Sequence, residues 1–385
     1  MFAPEKARNR PPPRRSPLPP PATTIGSHLS MSMRQKKRDG IKNRRRHAKE
    51  AQERIRYNLP FQVPAQPRIY LAKSKFGPKQ APRLGKAARK AVEDRPLTTI
   101  AHNSTVTHAG IPNPNYAADS DIPRYAAIRF HNCVPENEAE RLLAQVKELK
   151  DMPFKTTAAH GDTFLQAWIG LWRKYSCAPF VSAGRMQKKP ILDEGIKNLI
   201  RILDQSLAKA AAYLRDVDEP TYNRMRCSHS DIFRLALSGV DRHRAAGAHR
   251  AWFAEDPDRV LTSSYRLGGV GSMMAMSIST GAGTSYHYDE GDDGHFYSMI
   301  LVLGTGGLLK LPETGYQLYV RPGDVVFFLA NQQLHKLEID SEIPNAVQTV
   351  FTLWTDKLAM QAAKPSQYND FYIVEPDAED ETEER

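Results

Sequence analysis

Hydrophobic residues in this chain follow helical spacing in its middle and strand spacing towards its end. A short apolar run, YAAIRF (125–130), predicts a strand, and Pro135 then opens the segment ENEAERLLAQVKELK. Apolar residues recur on one face of that segment and predict an amphipathic helix: Leu142, Leu143, Val146 and Leu149. Residues 193–214 keep a 3.6-residue period and predict the best-defined helix. The aromatic-rich segment FLQAWIGLWRKY (164–175) is also predicted to be helical.

From about residue 270 the pattern changes to short segments rich in β-branched and aromatic residues. Turns of Gly, Pro, Asn and Asp separate these segments at spacings of roughly 8–13 residues. In order they are MMAMSIST, FYSMILVLG, GLLKLP, YQLYV, DVVFFLA, QLHKLEI and VQTVFTLWT. Regularly spaced short strands predict an antiparallel sandwich or barrel. Helices followed by strands favour the α+β class, with the helices packed on one face of a sheet.

Charge divides the chain into three parts. The formal net charge of the 385 residues is +11, yet residues 1–95 contain 25 Lys+Arg against 6 Asp+Glu, and residues 96–385 contain 29 against 37. The last eleven residues contain seven acids and one Arg. Residues 1–95 also hold 13 of the 28 prolines, which predicts a disordered basic arm. Such an asymmetry favours a polyanionic partner for the arm.

Two basic clusters in the arm, Lys36-Lys37-Arg38 and Arg44-Arg45-Arg46, are spaced like a bipartite nuclear-localisation signal. Lys and Arg that neutralise phosphates release counterions, so nucleic acid is the partner that this segment favours. The expected location is the nucleus. The alternative is a solvated tail without a partner.

The remaining chain is predicted to consist of a linker (96–124), a folded domain (125–360) and an acidic C-terminal tail (361–385). No apolar run is long enough for a transmembrane helix, and the N-terminus lacks the apolar core of a secretory signal. The three cysteines are widely separated, which excludes a disulfide framework and a cysteine-based zinc site: Cys133, Cys177 and Cys227. Each is expected to be a small buried hydrophobic residue in a protein of a reducing compartment.

The candidate chemistry lies at the entry to the strand-rich region. His287 and Asp289 are two residues apart, so on a strand their side chains point to the same face. His335 follows about four strands later, in QLHKLEI. Two His and one carboxylate on one face are the ligand set of non-haem Fe(II) oxygenases, which leaves coordination positions open. We therefore predict a metal site formed by His287, Asp289 and His335.

The pattern His-x-Asp also occurs at His160-Gly-Asp162 and at His229-Ser-Asp231. Asp162 directly precedes the helix predicted from residue 164, and Ser230 or Asp231 precedes the segment IFRLAL. Both positions are typical of helix N-caps. Only the pattern at residue 287 is followed by strands and a later histidine, so it alone is predicted to bind metal.

The stretch from YHYDEGDDGHFYSMILVLG to ANQQLHKLE resembles the Fe(II)/2-oxoglutarate dioxygenase superfamily. The motifs GGLLKLPE (306–313) and RPGD (321–324), together with the late His335, are most similar to the TET/JBP-type branch with its fungal transposon-associated members. This resemblance implies a double-stranded β-helix fold, Fe(II) held by the predicted triad, and 2-oxoglutarate as cosubstrate. It further implies oxidation of a methylated or other pyrimidine in DNA.

The chain departs from this family at one position. The family places an Arg about a dozen residues after the distal His, where it binds the distal carboxylate of 2-oxoglutarate. Here Gln348 occupies the approximate position and is the candidate cofactor-binding residue. Lys310 is a possible substitute but is expected to point outward, and Arg321 is expected at a surface turn.

Three functions are compatible with these features. The favoured one is 2-oxoglutarate-dependent oxidation of a nucleic-acid base, which requires a base in a duplex to be flipped out. The second is a protein hydroxylase of the prolyl-hydroxylase type. The third is a catalytically lapsed domain that binds chromatin or nucleic acid, which the substitution of Gln348 for Arg favours.

Overall fold

The structure is a computed structural model. It describes residues 61–62, 89–101, 108–118, 120–149, 155–157, 164–172, 180–181, 190–245, 267–280, 283–340 and 342–363. Backbone contacts divide the chain between residues 57 and 58, and all described residues belong to the second unit, Asn58–Arg385. The two basic clusters predicted to act in nuclear import lie outside the described residues.

The described part contains fourteen strands, four longer helices and a short helical segment at residues 89–93. The helices are α1 (Glu136–Glu148), α2 (Pro190–Val217), α3 (Glu219–Ala245) and α4 (Lys357–Ala363). The strands before residue 270 are β1 (Phe61–Gln62), β2 (Thr98–Ile100), β3 (Ala109–Pro112), β4 (Tyr125–Phe130), β5 (Lys155–Thr157), β6 (Phe164–Trp172) and β7 (Phe180–Val181). The later strands are β8 (Met273–Ser279), β9 (Ser298–Gly304), β10 (Gly307–Leu311), β11 (Tyr316–Val320), β12 (Val325–Phe328), β13 (Lys336–Ile339) and β14 (Gln348–Trp354).

The strands form a larger sheet, β1-β3-β4-β12-β9-β14-β8-β6-β5, in which β7 also pairs with β6. A smaller sheet has the order β13-β10-β11-β2. Residues 283–287 extend the smaller sheet, because Gly283 bridges Glu338 and His287 bridges His335. From β8 onward the chain winds back and forth between the two sheets, which is the double-stranded β-helix arrangement. The predicted α+β class and jelly-roll core are confirmed.

The two faces of β9 show how the core is built. Met299, Leu301 and Leu303 lie in the hydrophobic cluster shared with the helices, whereas Ile300 and Val302 lie in a second cluster between the sheets. Because neighbouring side chains of a strand point to opposite faces, a continuous apolar run is needed where both faces are buried. The seven strands predicted after residue 270 are all present. The predicted helices after Pro135 and at 193–214 are also confirmed as α1 and α2.

The helix predicted at 164–175 is wrong, because residues 164–172 form strand β6. Ala167, Ile169 and Leu171 are buried in the core, whereas Gln166 and Trp168 line the opposite side. This alternation is the two-residue period of a strand, and aromatic and β-branched residues favour that conformation. The segment IFRLAL is helical, but Ser230 and Asp231 are not N-caps because they lie inside α3, and Asp162 lies outside the described residues.

The predicted linker 96–124 contributes two strands to the sheets. Thr98–Ile100 pairs in parallel with β11, and Ala109–Pro112 pairs antiparallel with β4. These two strands were not predicted, because strands as short as three or four residues lack a distinctive hydrophobic pattern. Their backbone groups are satisfied by neighbours that are distant in sequence.

The predicted boundary of the basic arm at residue 95 is also wrong. Residues 89–93 are helical, and Val92 is buried. The Arg95 guanidinium donates to the carbonyls of Pro312 (3.1 Å) and Glu313 (3.2 Å). This end of the arm therefore packs on the domain.

At the C-terminal end of the domain, α4 continues three residues past the predicted boundary at 360, and residues 364–385 of the predicted acidic tail lie outside the described residues.

Arg129 on β4 joins the two sheets from a fully buried position. Its Nη1 donates to the carbonyls of Ile100 (2.9 Å) and Tyr319 (2.7 Å), and its Nη2 donates to the carbonyl of Ala101 (3.2 Å). Burial lowers the pKa of this guanidinium to about 10. A charged group in this position is tolerated because backbone carbonyls replace the water that it loses.

The cysteine prediction holds in part. Cys133 is buried, and desolvation raises the pKa of its thiol far above the ordinary value. Cys227 is exposed on α3, contrary to the prediction, and Cys177 lies outside the described residues.

None of the described helices is both long and apolar enough to cross a membrane.

Candidate metal centre

The three predicted ligands meet at one end of a cavity of about 480 Å³ between the two sheets. The potential ligand atoms of His287, Asp289 and His335 all lie within 4.8 Å of one another. Asp289 Oδ1 lies 3.5 Å from His287 Nε2, and Asp289 Oδ2 lies 3.5 Å from His335 Nε2. The two imidazole centroids are 4.3 Å apart. The structure therefore brings the residues together with one carboxylate facing two ring nitrogens.

Each imidazole is held by a hydrogen bond from its other nitrogen. His287 Nδ1 donates to the carbonyl of Ser285 (2.8 Å), and His335 Nδ1 donates to the carbonyl of Gln333 (2.9 Å). A carbonyl only accepts, so the proton of each neutral ring is assigned to Nδ1. The lone pair of each Nε2 is then left for a metal. A second hydrogen bond of this kind fixes the tautomer and the ring orientation of metal-binding histidines.

Backbone pairing places the two histidines opposite each other. The amide nitrogen of each donates to the carbonyl oxygen of the other, both at 3.0 Å. Glu313 further joins the two segments, because its buried carboxylate accepts hydrogen bonds from the Leu334 amide (3.0 Å) and from the Tyr288 hydroxyl. The short 3-10 turn Pro312–Thr314, which contains Glu313, therefore holds the two ligand-bearing segments together.

Asn331 fixes the acidic loop that follows the first two ligands. Its Nδ2 lies within hydrogen-bonding distance of the carbonyls of Asp289 (3.1 Å), Glu290 (3.3 Å) and Asp292 (2.9 Å). The Asp292 carboxyl is buried and accepts a hydrogen bond from the Ser298 hydroxyl. Burial, followed by the nearby Asp289 carboxylate, raises the pKa of Asp292 well above its ordinary value. The loop is therefore packed against the site and is not only a solvated surface feature.

Apolar side chains form most of the cavity wall around the metal ligands: Ile300, Leu309, Phe328, Leu337 and Val350. The Phe328 ring meets His335 edge-on, with centroids 4.9 Å apart. Trp168 and Trp354 also line the cavity, in a perpendicular contact with centroids 5.9 Å apart. Trp168 remains 43% exposed, so an aromatic surface is accessible beside the cavity.

Gln348 lines the cavity and is buried, but its amide donors point elsewhere. Its Nε2 lies 3.2 Å from the Thr305 carbonyl and 3.4 Å from the Gly306 carbonyl. These two acceptors fix the orientation of the amide. The Gln348 amide is therefore not oriented to donate a hydrogen bond to a carboxylate in the cavity.

The two basic substitutes lie away from the cavity. Lys310 forms an ion pair with Glu338 at 2.5 Å on the outer face of β10, as expected from strand alternation. Arg321 is exposed at the turn before β12, where its backbone amide donates to Asp324 (2.9 Å). Of the residues described here, none that lines the cavity is Lys or Arg.

Two other histidines have structural partners. His229, whose neighbouring motif resembled the site, is buried in α3 with its Nε2 2.8 Å from Thr355 Oγ1. Burial lowers its pKa to about 4. His295 pairs with the buried Asp293 at 2.9 Å, and this hydrogen bond raises its pKa. His160 lies outside the described residues.

Several cavity residues are missing from the sequence prediction. Trp168 and Gln166 were assigned to a helix, although the alternation in Gln-Ala-Trp-Ile was a usable strand signal. Trp354 lies in the last predicted strand and Asp356 follows it, but only their pairing with distant segments places them at the cavity. Pairing between residues so far apart in sequence leaves no local signal.

Solved structures of similar fold include NgTET1 in complex with 5mC DNA, which is 11% identical, with 71% of this chain and 88% of that chain covered and a TM-score of 0.39. OsALKBH1 is 12% identical over 60% of this chain and 97% of that chain, with a TM-score of 0.33. A Pseudomonas putida prolyl-4-hydroxylase is 12% identical, with 60% of this chain and 91% of that chain covered and a TM-score of 0.30. No protein-family model and no curated protein matches the chain.

Proposed function

We propose that this protein is an Fe(II)- and 2-oxoglutarate-dependent oxygenase. The observation that carries the proposal is the triad itself: the Nε2 atoms of His287 and His335 both face the Asp289 carboxylate within a double-stranded β-helix. Two imidazoles and one carboxylate fit Fe(II) and leave coordination positions for other ligands. When bound, the iron and the 2-oxo acid supply O2-dependent oxidation of a C–H bond.

The protein contributes orientation and exclusion of water. The Nδ1 hydrogen bonds hold both rings in the tautomer that a metal requires, and Glu313 keeps the two ligand segments in register. The apolar wall around Phe328 and Leu337 limits access of water to the reacting groups. A cavity of about 480 Å³ has the size of a typical small-molecule site.

The substrate class that we favour is a pyrimidine base in DNA. Trp168 and Trp354 support this choice, because an accessible indole provides a stacking surface for a planar ring. Stacking of this kind does not require a charged partner. A protein hydroxylase is the competing enzyme function.

Replacing Trp168 by Ala should reduce oxidation of a methylated DNA oligonucleotide by roughly tenfold or more, since base stacking on an aromatic side chain contributes about 1–3 kcal/mol. Product formation with Fe(II) and 2-oxoglutarate is measured by mass spectrometry of the nucleosides. Leu165→Ala is the matched control, because Leu165 is equally exposed on the same strand but does not line the cavity. Oxidation of a peptide library with DNA left unchanged would instead favour the protein hydroxylase.

We further propose that the basic arm directs the protein to the nucleus and contacts phosphates. Residues 1–57 contain 16 Lys+Arg against 4 Asp+Glu and include both basic clusters. Deleting them leaves the whole described unit, including the Arg95 contacts, in place. The acidic tail is proposed to compete with nucleic acid for this arm.

Deletion of residues 1–57 should weaken DNA binding by about tenfold or more at low salt and should flatten the dependence of affinity on salt, because fewer counterions are released. Fluorescence anisotropy with labelled duplex DNA at several salt concentrations measures both quantities. A variant lacking residues 370–385 provides a deletion of acidic sequence for comparison. An unchanged salt slope after removal of the arm would contradict its proposed role.

A further inference from the structure

The segment at the end of the predicted basic arm lies against the loops that carry the metal ligands. We call residues 89–100 the strap; they include the helical residues 89–93 and strand β2. Val92 is buried, and so is Ile100, which belongs to the hydrophobic cluster between the sheets. The strap is therefore anchored to the domain near both of its ends.

The strap holds the 3-10 turn that contains Glu313. Nη1 of Arg95 donates to the carbonyls of Pro312 (3.1 Å) and Glu313 (3.2 Å). The Thr98 amide donates to the carbonyl of Gly315 (2.9 Å), directly after the turn. These hydrogen bonds fix the main chain of the turn from outside the double-stranded β-helix, and with it the base of the Glu313 side chain.

Glu313 connects this turn to the segments of all three metal ligands. Its buried Oε1 accepts hydrogen bonds from the Leu334 amide (3.0 Å) and from the Tyr288 hydroxyl. Leu334 is the residue before one ligand, and Tyr288 lies between the other two. A shift of one carboxylate oxygen would therefore be felt by both ligand-bearing segments.

A second contact from the strap reaches a ligand-bearing segment directly. The Arg89 guanidinium donates to the carbonyl of Tyr286, the residue before His287. Glu93, one helical turn further along, accepts from Arg89 Nε (2.7 Å) and orients the guanidinium. Arg89 is exposed and Arg95 is half-buried, so the contacts of Arg95 are less open to competition from water.

We propose that Arg95 is a positioning residue for the metal centre, acting through Glu313 on the segments that hold the ligands. This inference rests on the proposed function, because it concerns the same metal site. It gives the end of the predicted basic arm a part in metal binding. Hydrogen bonds behind metal ligands fix the ligand orientation, so less ordering is required when the metal binds. Loss of the Arg95 guanidinium should therefore weaken metal binding without removing a ligand.

The test measures binding of Co(II) to the full chain by visible absorption. Co(II) accepts the same nitrogen and oxygen ligands as Fe(II), and its spectrum depends on their arrangement. Arg95→Ala should weaken Co(II) binding by about tenfold, the lower end of the effect of outer-shell partners, and should alter the Co(II) spectrum. Arg95→Lys should recover part of the affinity, because an ammonium group can still donate to these carbonyls.

Arg224→Ala is the matched control. Arg224 is also half-buried and donates to a carbonyl distant in sequence, that of Asp121, but its hydrogen bonds to Asp121 and Thr221 lie away from the ligand-bearing segments. Its loss should leave the Co(II) affinity within a few-fold of the unmodified chain, and the spectrum unchanged. Thermal unfolding of the metal-free variants establishes that both are folded at the assay temperature. Equal losses in the two variants, or an unchanged Arg95→Ala, would overturn the inference.

A double-mutant cycle tests the route through Glu313. Residues that act through one another are not additive, so Arg95→Ala should cost much less Co(II) affinity in a Glu313→Gln background than in the unmodified chain. An undiminished loss in that background would contradict the route. Should Glu313→Gln fail to fold, Tyr288→Phe serves as the background, because it removes one of the two hydrogen bonds to Glu313.

The unmodified chain separates failure of this inference from failure of the proposed function. Absence of Co(II) binding to the unmodified chain would overturn both. Binding to the unmodified chain with the same affinity and spectrum in Arg95→Ala would overturn the inference alone and leave the metal site in place.

Discussion

Replacing Asp289 by Ala is expected to lower the affinity for Fe(II) by about a hundredfold or more and to abolish turnover, since loss of even an outer-shell partner costs 10–100-fold at metal sites. The carboxylate lies 3.5 Å from the Nε2 atoms of both His287 and His335. Without it, two neutral imidazoles remain to hold a dication. Equilibrium titration with Fe(II) under anaerobic conditions measures the loss.

Glu290→Ala is the matched control for this substitution. Glu290 is the adjacent carboxylate, is exposed and also lines the cavity, but it is not part of the triad. Its removal should leave Fe(II) affinity within a few-fold of the unmodified protein. Equal losses in the two variants would show that the acidic loop as a whole attracts the metal, and the assignment of Asp289 as a ligand would then be wrong.

Replacing Arg129 by Ala should lower the free energy of unfolding by about 3–4 kcal/mol, because buried polar groups that lose their partners cost about 1–3 kcal/mol each. The carbonyls of Ile100, Ala101 and Tyr319 would lose their donor, and the side chain would leave a cavity between the sheets. Urea denaturation followed by circular dichroism measures the change.

Arg141→Ala supplies the comparison, since Arg141 is exposed on α1. It should change the free energy of unfolding by no more than about 0.5 kcal/mol, as is usual for surface substitutions. If Arg129→Ala lowered the free energy of unfolding by an equally small amount, the guanidinium would not be an important connection between the sheets. The metal site should survive in either variant that remains folded.

The strand-rich half of the fold could be predicted because its local patterns are strong. Segments such as FYSMILVLG are apolar on both faces and end at turn residues, so their conformation is set locally. The triad followed from the same logic: His287 and Asp289 share a face by their spacing. The structure adds the backbone bridge that brings His335 opposite His287.

Other features depend on contacts that leave no local pattern. The segment containing Trp168 has enough apolar residues for either a helix or a strand, and pairing with β8 decides the outcome. Residues 98–100 form a strand only because β11 offers an open edge. The role of Gln348 could not be predicted from its position alone, because the direction of its amide depends on the Thr305 and Gly306 carbonyls.

The central claim is that His287, Asp289 and His335 hold an Fe(II) that a 2-oxo acid chelates. Anaerobic titration of the Fe(II)-loaded protein with 2-oxoglutarate tests it most directly, because chelation of the metal by a 2-oxo acid produces a visible charge-transfer absorption. We expect this absorption to appear and saturate in the unmodified protein and to be absent in His335→Ala. Absence of the absorption in the unmodified protein, or its persistence in His335→Ala, would contradict the account.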